Sequence, residues 1–476
     1  MKRLKKTKII ATLGPSTSTF ESIENLIKEG VDVLRINFSH STHKEAKFLI
    51  KSIREINHSM STNIAILADL QGPKLRIGEV DKNTQLSDGD KVLIKTDKCF
   101  KGNEKKLYLN YQNLGEDIKK NEKILIDDGK IILKVLNINN KNEVLTEVIQ
   151  GGELSSNKGF NLPNTFLSQP ALTDKDIDDA IFSAKHNVDW IALSFVRKGS
   201  DIKSLVKLLE KNTDHRIPVI AKIEKPDGVK NIDEIMKYAS GIMVARGDLG
   251  VEINAAEVPL IQKKLVNKAK KARIPVIIAT QMMESMMKSL NPNRAEVNDV
   301  ANSIMDGADA VMLSGETSMG DHPMEVIRTI SRIIGRVENS ELISLKHKHP
   351  SDYESDRFIT KSVCYYAAKI ANDTKAKAIS TLTNSGYTAY QISSWRPKTH
   401  VLVFTSNKRI LTQLNLLWGV KAFYYDGTES TDKTIEEINK LAVDNNLLQK
   451  DDKVVNLTSM PIEKKGMVNT VRVSKI

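Results

Sequence analysis

The sequence is poor in cysteine and in aromatic residues, and it contains no long apolar run. Two cysteines, Cys99 and Cys364, occur in 476 residues, and aromatic residues make up 5%. Two distant cysteines without metal-like spacing exclude a disulfide framework and indicate a reducing compartment. No apolar run reaches the roughly 20 residues of a membrane span, and the run after the basic N-terminus is too short for a signal peptide. We therefore expect a cytoplasmic protein without membrane contacts.

The charge balance is basic, with 71 Lys and Arg against 59 Asp and Glu and a net charge of +12. Such an excess favours anionic partners, including nucleic acids and phosphorylated metabolites. The lysines are spread along the chain, however, and no basic run is interleaved with the aromatic residues that stack on bases. We therefore expect no nucleic-acid binding, although a basic nucleic-acid-binding protein stays open as an alternative.

Short apolar runs alternate with amphipathic segments over most of the chain, which indicates an α/β protein. The runs typical of buried strands are 8–13, 31–36, 64–69, 188–194, 218–223, 241–245, 275–280 and 308–313. Eight strand–helix repeats favour a closed (β/α)8 TIM barrel over an open doubly wound sheet. The first connecting segment carries a capping-box pattern at Ser18 and Glu21 and ends at Gly30.

Two further units are predicted. Residues 73–170 interrupt the repeat with short alternating runs and turn signals, typical of a small β-barrel that overhangs the barrel as a lid. We assign 1–72 and 171–343 to the barrel and 356–476 to a C-terminal α/β regulatory domain with strands at 376–382, 400–405, 420–425 and 454–457. The polar stretch 344–355 is interpreted as a linker rather than a histidine metal site.

Charged residues follow two neighbouring strands. Lys222 and Glu224 point to the same side of one strand because side chains alternate, and Asp248 follows the next strand. One ammonium and two carboxylates suit a divalent metal beside an anionic substrate. Taken alone, they fit a buried ion pair and a turn aspartate equally well.

Polar residues follow the other strands too, always at the carboxyl end, where barrel enzymes build their active sites. They are Arg35, Asn37, Ser39, His40, Asp69, Ser194, Thr280, Ser314 and Glu316. These strand ends carry neither a cysteine nucleophile nor a Ser-His-Asp set. Fixed cations, metal-binding carboxylates and hydroxyls are what phosphoryl transfer needs, because that reaction depends on positioning and charge stabilisation.

Six segments resemble the pyruvate kinase family, in order and across the whole chain: KIIATLGP at 8–15, LRINFSH at 34–40, AKIE at 221–224, MVARGDLG at 243–250, ATQM at 279–282 and MLSGET at 312–317. The resemblance implies phosphoryl transfer from phosphoenolpyruvate to ADP, giving pyruvate and ATP, the last step of glycolysis. It also implies Mg2+ or Mn2+ as cofactor and a homotetramer. Another phosphoenolpyruvate-binding barrel, such as a metal-dependent aldolase or lyase, is the second enzyme hypothesis.

The resemblance also implies roles for individual residues. Arg35 would contact the phosphoryl group, and Lys222 would stabilise the phosphoryl group and the enolate. Glu224 and Asp248 would hold Mg2+. The remaining implied roles are carboxylate binding by Gly247, Asp248 and Thr280, nucleotide binding by Arg76, Lys158, Asn37 and His40, and enolate protonation through Thr280, Ser314 and Glu316.

One segment departs from the family pattern. Residues 69–77 read DLQGPKLRI where many members read DTKGPEIRT, so Lys74 replaces a glutamate. The positions of the family's K+ site are present as Asn37, Ser39, Asp69 and the Leu70 carbonyl. The Lys74 ammonium can supply the charge of the bound K+, and we therefore predict activity that does not require K+. Alternatively, Lys74 is only a solvated hinge residue.

The C-terminal region resembles the family's effector-phosphate loop at Thr383, Ser385, Gly386 and Thr388. Hydroxyls and helix N-terminal amides could hold a phosphate there. Segment 458–466, however, lacks the glycine-rich loop, with its tryptophan and arginine, of members regulated by fructose 1,6-bisphosphate. The sequence therefore leaves the effector open.

Overall fold

The structure, a computed structural model, describes residues 5–163, 165–340, 349–427, 430–460 and 467–476. Eight parallel strands form a closed barrel in which each strand pairs with its sequence neighbours, and the last pairs with the first. They are Lys8–Thr12, Val33–Asn37, Ala65–Asp69, Trp190–Leu193, Val219–Ile223, Gly241–Ala245, Val276–Ala279 and Ala310–Leu313. Each predicted barrel strand is present, and the predicted fold class is confirmed.

Amphipathic helices surround the barrel: Phe20–Glu29, His43–Ser59, Asp174–Lys185, Gly199–Asn212, Pro226–Lys230, Ile232–Ile235, Arg246–Glu252, Val258–Ala272, Arg294–Asp306, Gly315–Ser318 and Pro323–Glu338, with 3-10 turns at Ala255–Glu257 and Glu284–Met287. The predicted capping box is wrong by one residue. Thr19 caps the first helix because its side chain accepts the Ser22 N–H at 3.2 Å. Gly30 ends that helix with φ of 112°, as predicted.

The apolar core of the barrel has two layers. The larger layer lies between the strands and the helices, and the smaller fills the barrel interior around Trp190, Met243 and Met312. Because both strand faces are buried, side chains can meet solvent only at the barrel ends. The polar residues that follow the strands are therefore confined to one open end.

The lid is inserted after the third barrel strand and contains a largely antiparallel six-stranded sheet and a separate two-stranded sheet of Thr84–Leu86 and Gly152–Leu154. Its strands are Thr84–Leu86, Lys91–Lys95, Lys106–Tyr108, Lys123–Ile126, Ile131–Asn140, Glu143–Gln150, Gly152–Leu154 and Phe160–Asn161, with one helical turn at Leu114–Asp117. Single bridges of Arg76 with Gly159 and of Ile77 with Leu109 join the two edges of its six-stranded sheet. The sheet thus closes on itself around an apolar core, and Arg76 lies at the seam.

The C-terminal region forms a five-stranded sheet. Its strands are Ala378–Leu382, His400–Thr405, Val420–Tyr424, Lys453–Thr458 and Thr470–Lys475, and its helices are Phe358–Asp373, Tyr387–Ser394, Lys408–Gln413 and Thr431–Asp444, with a 3-10 turn at Leu414–Leu416. The four predicted strands are present and parallel. The antiparallel edge strand Thr470–Lys475 was not predicted, because its valines alternate with polar residues and form no apolar run.

The C-terminal region packs on the amino end of the barrel, opposite the polar strand ends. Leu416 and Tyr390 join the core of the barrel interior, and a buried ion pair links Arg396 to Asp309 at 2.8 Å.

The interpretation of segments 344–355 and 458–466 rests partly on residues 344–348 and 461–466, which lie outside the described residues. The domain boundaries stay a prediction. In the described part of the chain, no helix has both the length and the apolar character needed to cross a membrane.

Candidate active site

Lys222 is the centre of a charged network at the carboxyl end of the barrel. Its ammonium lies 3.2 Å from Asp69 Oδ1 and 3.1 Å from Glu224 Oε1, and it donates to Ser194 Oγ at 2.7 Å. These partners come from the third, fifth and fourth barrel strands or directly follow them. Because neighbouring parallel strands end at one edge, residues far apart in sequence meet here.

Charge balance fixes the ionisation of this network. Burial by itself lowers the pKa of Lys222, but Asp69 and Glu224 raise it above its ordinary value. Burial likewise raises the pKa of Asp69, but Lys222 and Arg35 lower it below its ordinary value. Lys222 is therefore an ammonium and Asp69 a carboxylate at neutral pH.

Arg35 is buried beside the same carboxylate. Its Nε donates to Asp69 Oδ2 at 2.7 Å, and its Nη1 donates to Thr12 Oγ1 at 2.9 Å. Arg35 is only 8% exposed, so both contacts restrain the guanidinium. Asp69 therefore holds both cations, one on each of its oxygens.

Ser194 connects Lys222 to the backbone where the lid begins. Its hydroxyl accepts from Lys222 and donates to the Leu70 carbonyl at 2.6 Å. Gly72, with φ of 69°, packs directly on Ser194, since a Cβ there would lie 2.8 Å from the Ser194 Cβ. Sequence reasoning noted Ser194 as a polar strand end but did not assign it to the site. A hydroxyl residue directly after the fourth barrel strand was the sequence feature that could have assigned it.

Glu224 and Asp248 are the candidate metal ligands. Glu224 is 1% exposed, and its Oε2 accepts the Phe195 N–H at 2.6 Å. Burial raises the pKa of Glu224, and Asp248 adds to this effect against the attraction of Lys222. The buried Glu224 carboxylate and the partly exposed Asp248 carboxylate suit a hard divalent cation, which takes oxygen ligands. Among the described residues, no group of three or more His, Cys, Asp or Glu side chains is placed to hold a metal ion, so a metal held by Glu224 and Asp248 would need oxygen ligands from water or substrate as well.

Gly247 and Thr280 meet where the sixth and seventh strands end. The Gly247 N–H donates to Thr280 Oγ1 at 2.7 Å, and this hydroxyl donates to the Ala279 carbonyl. Thr280 has φ of 71° and Gln281 has φ of 54°, a conformation that non-glycine residues rarely adopt. Local strain of this kind is found where a binding loop is held in a fixed shape.

Glu316 holds two loops together. Its carboxylate accepts the backbone N–H groups of Ser314 at 2.7 Å and Met283 at 3.1 Å. The structure thus joins Glu316 to Ser314, but within the described residues it gives no hydrogen bond from either to Thr280. The three-residue proton relay stays a prediction.

The lid faces this network across a cavity of about 230 Å³. Arg76 and Lys158 line it from the lid, and Asp248 lines it from the barrel. Arg76 Nη1 donates to the Asn157 carbonyl at 2.8 Å, and Lys158 lies 3.0 Å from Asp127. Two cations at the mouth of the site fit the phosphates of a nucleotide.

A second contact joins the lid to the barrel beside the same cavity. Asn161 donates to Glu252 Oε1 at 2.8 Å, and the same oxygen accepts from the Lys225 ammonium. Sequence reasoning missed this contact, because nothing in the local pattern pairs a lid asparagine with a barrel glutamate 91 residues away.

The candidate K+ positions meet at the second and third strand ends. Asn37 and Asp69 are register partners, and Asn37 Oδ1 accepts the Ser39 N–H at 3.2 Å. Lys74 lines the lid cavity, and its ammonium makes no hydrogen bond or ion pair with any described residue. Burial lowers the pKa of His40, and Arg76, Lys74 and Arg35 lower it further. The charges of these three cations thus all act on His40.

The candidate effector loop lies far from this end of the barrel. The Gly386 N–H donates to Thr383 Oγ1 at 3.0 Å, and Gly386 adopts φ of 80° just before the helix Tyr387–Ser394. Thr383, Ser385 and Thr388 line a cavity of about 420 Å³. The predicted loop residues are thus brought together.

The barrel, the lid and this charged network define an enzyme that transfers a group between anionic substrates. Two family profiles match the chain: "Pyruvate kinase, barrel domain" over residues 4–327 and "Pyruvate kinase, alpha/beta domain" over 361–474. The chain belongs to the pyruvate kinase family. It catalyses phosphoryl transfer from phosphoenolpyruvate to ADP.

Individual pyruvate kinases are similar to the chain over nearly its whole length. The chain is 39% identical over 470 residues to the pyruvate kinase of Corynebacterium efficiens, covering 98% of this chain and 97% of the relative. It is 39% identical over 482 residues to that of Geobacillus stearothermophilus, covering 100% of this chain and 81% of the relative. A crystal structure of a pyruvate kinase from Cryptosporidium parvum aligns with a TM-score of 0.91 at 32% identity, covering 99% of this chain and 96% of that one.

Proposed function

We propose that Lys222 is the catalytic cation of this reaction and that Arg35 binds the transferred phosphoryl group. The observation that carries this proposal is the placement of both cations on the two oxygens of Asp69, at the barrel mouth. An ammonium about 4 Å from a phosphoryl oxygen interacts by ~4 kcal/mol at an effective dielectric of 20. Preorganised charges of this kind stabilise a transition state without reorganisation.

Glu224 and Asp248 are proposed to hold Mg2+ or Mn2+, which neutralises charge on the substrate oxygens when bound. Members of the family generally use Mg2+ and K+. The Gly247 and Asp248 N–H groups and the Thr280 hydroxyl are proposed to orient the substrate carboxylate. Gly247 and Thr280 would then exchange their hydrogen bonds to Thr280 Oγ1 and the Ala279 carbonyl for carboxylate oxygens. Arg76 and Lys158 are proposed to bind the nucleotide phosphates from the lid, with Asn37 and His40 beside them. Lys158 would then exchange Asp127 for a phosphate oxygen.

The test is pyruvate formation from phosphoenolpyruvate, ADP and Mg2+ in a coupled assay. We expect one pyruvate and one ATP per turnover and no pyruvate without ADP. Release of pyruvate without ADP would favour an aldolase or lyase instead.

We propose that Lys74 makes K+ unnecessary, and we expect equal maximal rates in KCl and in tetramethylammonium chloride at one ionic strength. The Lys74→Glu variant should lose about tenfold or more in tetramethylammonium, because a local positive charge is reversed, and should recover with K+. Lys98→Glu changes an exposed lid lysine in the same way and should behave like the wild type. Strong activation of the wild type by K+ would contradict the proposal.

Ser194 is proposed as a positioning residue for Lys222. Ser194→Ala removes one hydrogen bond to the ammonium but leaves both carboxylates, so kcat should fall about tenfold with KM for phosphoenolpyruvate nearly unchanged. Ser194→Thr keeps the hydroxyl and should recover part of the loss. An unchanged kcat in the alanine variant, with an unchanged melting temperature, would show that Ser194 does not position the lysine.

The homotetramer and the cytoplasmic location are also proposals, supported by the family assignment. Sedimentation equilibrium tests the first, and a monomer at assay concentration would contradict it. Thr383, Ser385, Gly386 and Thr388 are proposed to bind an effector phosphate, supported by the cavity that three of them line.

A further inference from the structure

The loop that follows the second barrel strand is held by a side chain from another part of the barrel. Phe38 lies between Asn37 and Ser39, two of the predicted site residues. Its N–H donates to the Asp69 carbonyl at 3.0 Å, and its own carbonyl accepts from the Lys175 ammonium at 2.7 Å. Both polar backbone groups of this residue are therefore paired, and one of the partners is a side chain 137 residues away.

The side chain of Phe38 adds a second restraint. It is 1% exposed and meets the rings of His43 and Phe182 edge-on, at centroid distances of 6.2 and 6.1 Å. His43 also stacks on Phe182 at 4.2 Å, so the helices His43–Ser59 and Asp174–Lys185 contact each other through these rings. Burial of the ring fixes where the loop lies, whereas the carbonyl contact restrains the orientation of its peptide group.

Asp179 directs Lys175 toward the loop. Its Oδ2 accepts from the Lys175 ammonium at 2.6 Å, and its Oδ1 lies 2.8 Å from His43 Nε2. Asp179 is buried, whereas the Lys175 side chain is half-exposed. Because a buried carboxylate requires hydrogen-bond partners, Asp179 keeps the ammonium in the position from which it reaches the Phe38 carbonyl.

The helical turn that carries Lys175 is itself fixed at the connection to the lid. Asp176 is fully buried, and its Oδ1 accepts the Gly72 N–H at 3.0 Å. Its Oδ2 accepts from the backbone and the hydroxyl of Thr173, which caps the helix Asp174–Lys185. The first turn of this helix therefore contacts the loops after both the second and the third barrel strands. A cation carried by such a turn is held in place before any ligand arrives.

We propose that Lys175 is a positioning residue for nucleotide binding, acting through the Phe38 carbonyl on Asn37 and His40. This inference rests on the proposed function, in which Asn37 and His40 contact the nucleotide. The His40 N–H donates to the Asn37 carbonyl at 3.1 Å, and the Ser39 N–H donates to Asn37 Oδ1 at 3.2 Å. In so compact a turn, rotation of the Phe38 peptide moves the side chains on both sides. Among the described residues, Lys175 is not one that lines the lid cavity, so its effect reaches the nucleotide through the loop.

The test is calorimetric titration of the full-length protein with ADP in saturating Mg2+ and KCl, combined with steady-state kinetics. Lys175→Met keeps the length of the side chain but removes the donor. We expect weaker ADP binding and a KM for ADP raised about fivefold or more, with KM for phosphoenolpyruvate within about twofold of the wild type. Lys175→Arg keeps a cationic donor and should recover part of the loss. Lys185→Met, at an exposed position of the same helix, is the matched control and should behave like the wild type.

Asp179→Asn tests whether the carboxylate acts through the lysine. It keeps the shape of the side chain but removes the charge that holds the ammonium, so it should weaken ADP binding less than Lys175→Met does. The double variant should bind ADP no more weakly than Lys175→Met alone, because both changes interrupt one contact. Additive losses would show that Asp179 acts by another route and would contradict the proposed network.

Asn37→Ala separates this inference from the proposed function. It removes the proposed nucleotide contact itself and should weaken ADP binding at least as much as Lys175→Met does. If Asn37→Ala weakened ADP binding and Lys175→Met did not, the positioning role would be overturned and the nucleotide site would stand. Unchanged ADP binding in Asn37→Ala would refute the nucleotide role of the loop, and the inference with it. Equal losses for ADP and phosphoenolpyruvate in Lys175→Met, with a lower melting temperature, would reduce Lys175 to a structural role and overturn the proposal.

Discussion

Replacing Lys222 with alanine is expected to lower kcat on the order of 10³-fold, corresponding to about 4 kcal/mol of transition-state stabilisation. The ammonium lies within 3.2 Å of two buried carboxylates and is the positive charge between them. Without it, Asp69 and Glu224 repel the anionic substrate as well as each other. The measurement is steady-state pyruvate formation with phosphoenolpyruvate and ADP varied separately.

Stability must be separated from chemistry in this variant, because it leaves the buried Glu224 carboxylate without its cation, whereas Asp69 keeps Arg35. That change costs about 3–5 kcal/mol in comparable cases. Lys222→Met keeps most of the side-chain volume and should lose the same activity with less disturbance of packing. Lys230→Ala, at an exposed position after the same strand, should keep full activity. A Lys222→Met enzyme within tenfold of the wild type would refute the catalytic role.

Replacing Glu224 with glutamine should raise the Mg2+ concentration for half-maximal activity at least about tenfold and lower kcat/KM about 10²-fold. The amide keeps the shape of the side chain and an acceptor for the Phe195 N–H, now 2.6 Å from the carboxylate. The substitution removes one negative charge from the proposed metal site.

Binding of Mn2+, followed by electron paramagnetic resonance without substrate, gives a readout independent of turnover. Affinity should fall in Glu224→Gln and stay at the wild-type value in Glu210→Gln, an exposed helix position. If Mn2+ affinity did not change in Glu224→Gln, the metal would have to be held by other residues.

Residues adjacent to a strand were predicted well from sequence. Alternation along one strand placed Lys222 on the same side as Glu224. Asp69 was predicted at the same end of the barrel, but as a K+ ligand and not as the partner of Lys222 and Arg35. The contacts that escaped prediction depend on loop geometry. Ser194 reaches the Leu70 carbonyl only because Gly72 turns the chain against it, and Asn161 reaches Glu252 only when the lid is folded. Hydrophobic periodicity does not predict either of these two contacts.

The edge strand Thr470–Lys475 was not predicted, for a different reason. An exposed edge needs only one apolar face, so its pattern is indistinguishable from that of an extended loop. The helix cap was predicted one residue too early because serine and threonine, which stand side by side at 18 and 19, both cap helices. Element types were thus predictable, whereas ends and edges were not.

Gly72 gives the lid a direct mechanical link to the catalytic lysine. The lid chain leaves the barrel two residues after Leu70, whose carbonyl fixes the Ser194 hydroxyl, and Gly72 rests on that same serine. A side chain at position 72 would therefore press on the serine that accepts a hydrogen bond from the Lys222 ammonium. The missing Cβ at one position of the connection to the lid thus preserves the geometry around Lys222.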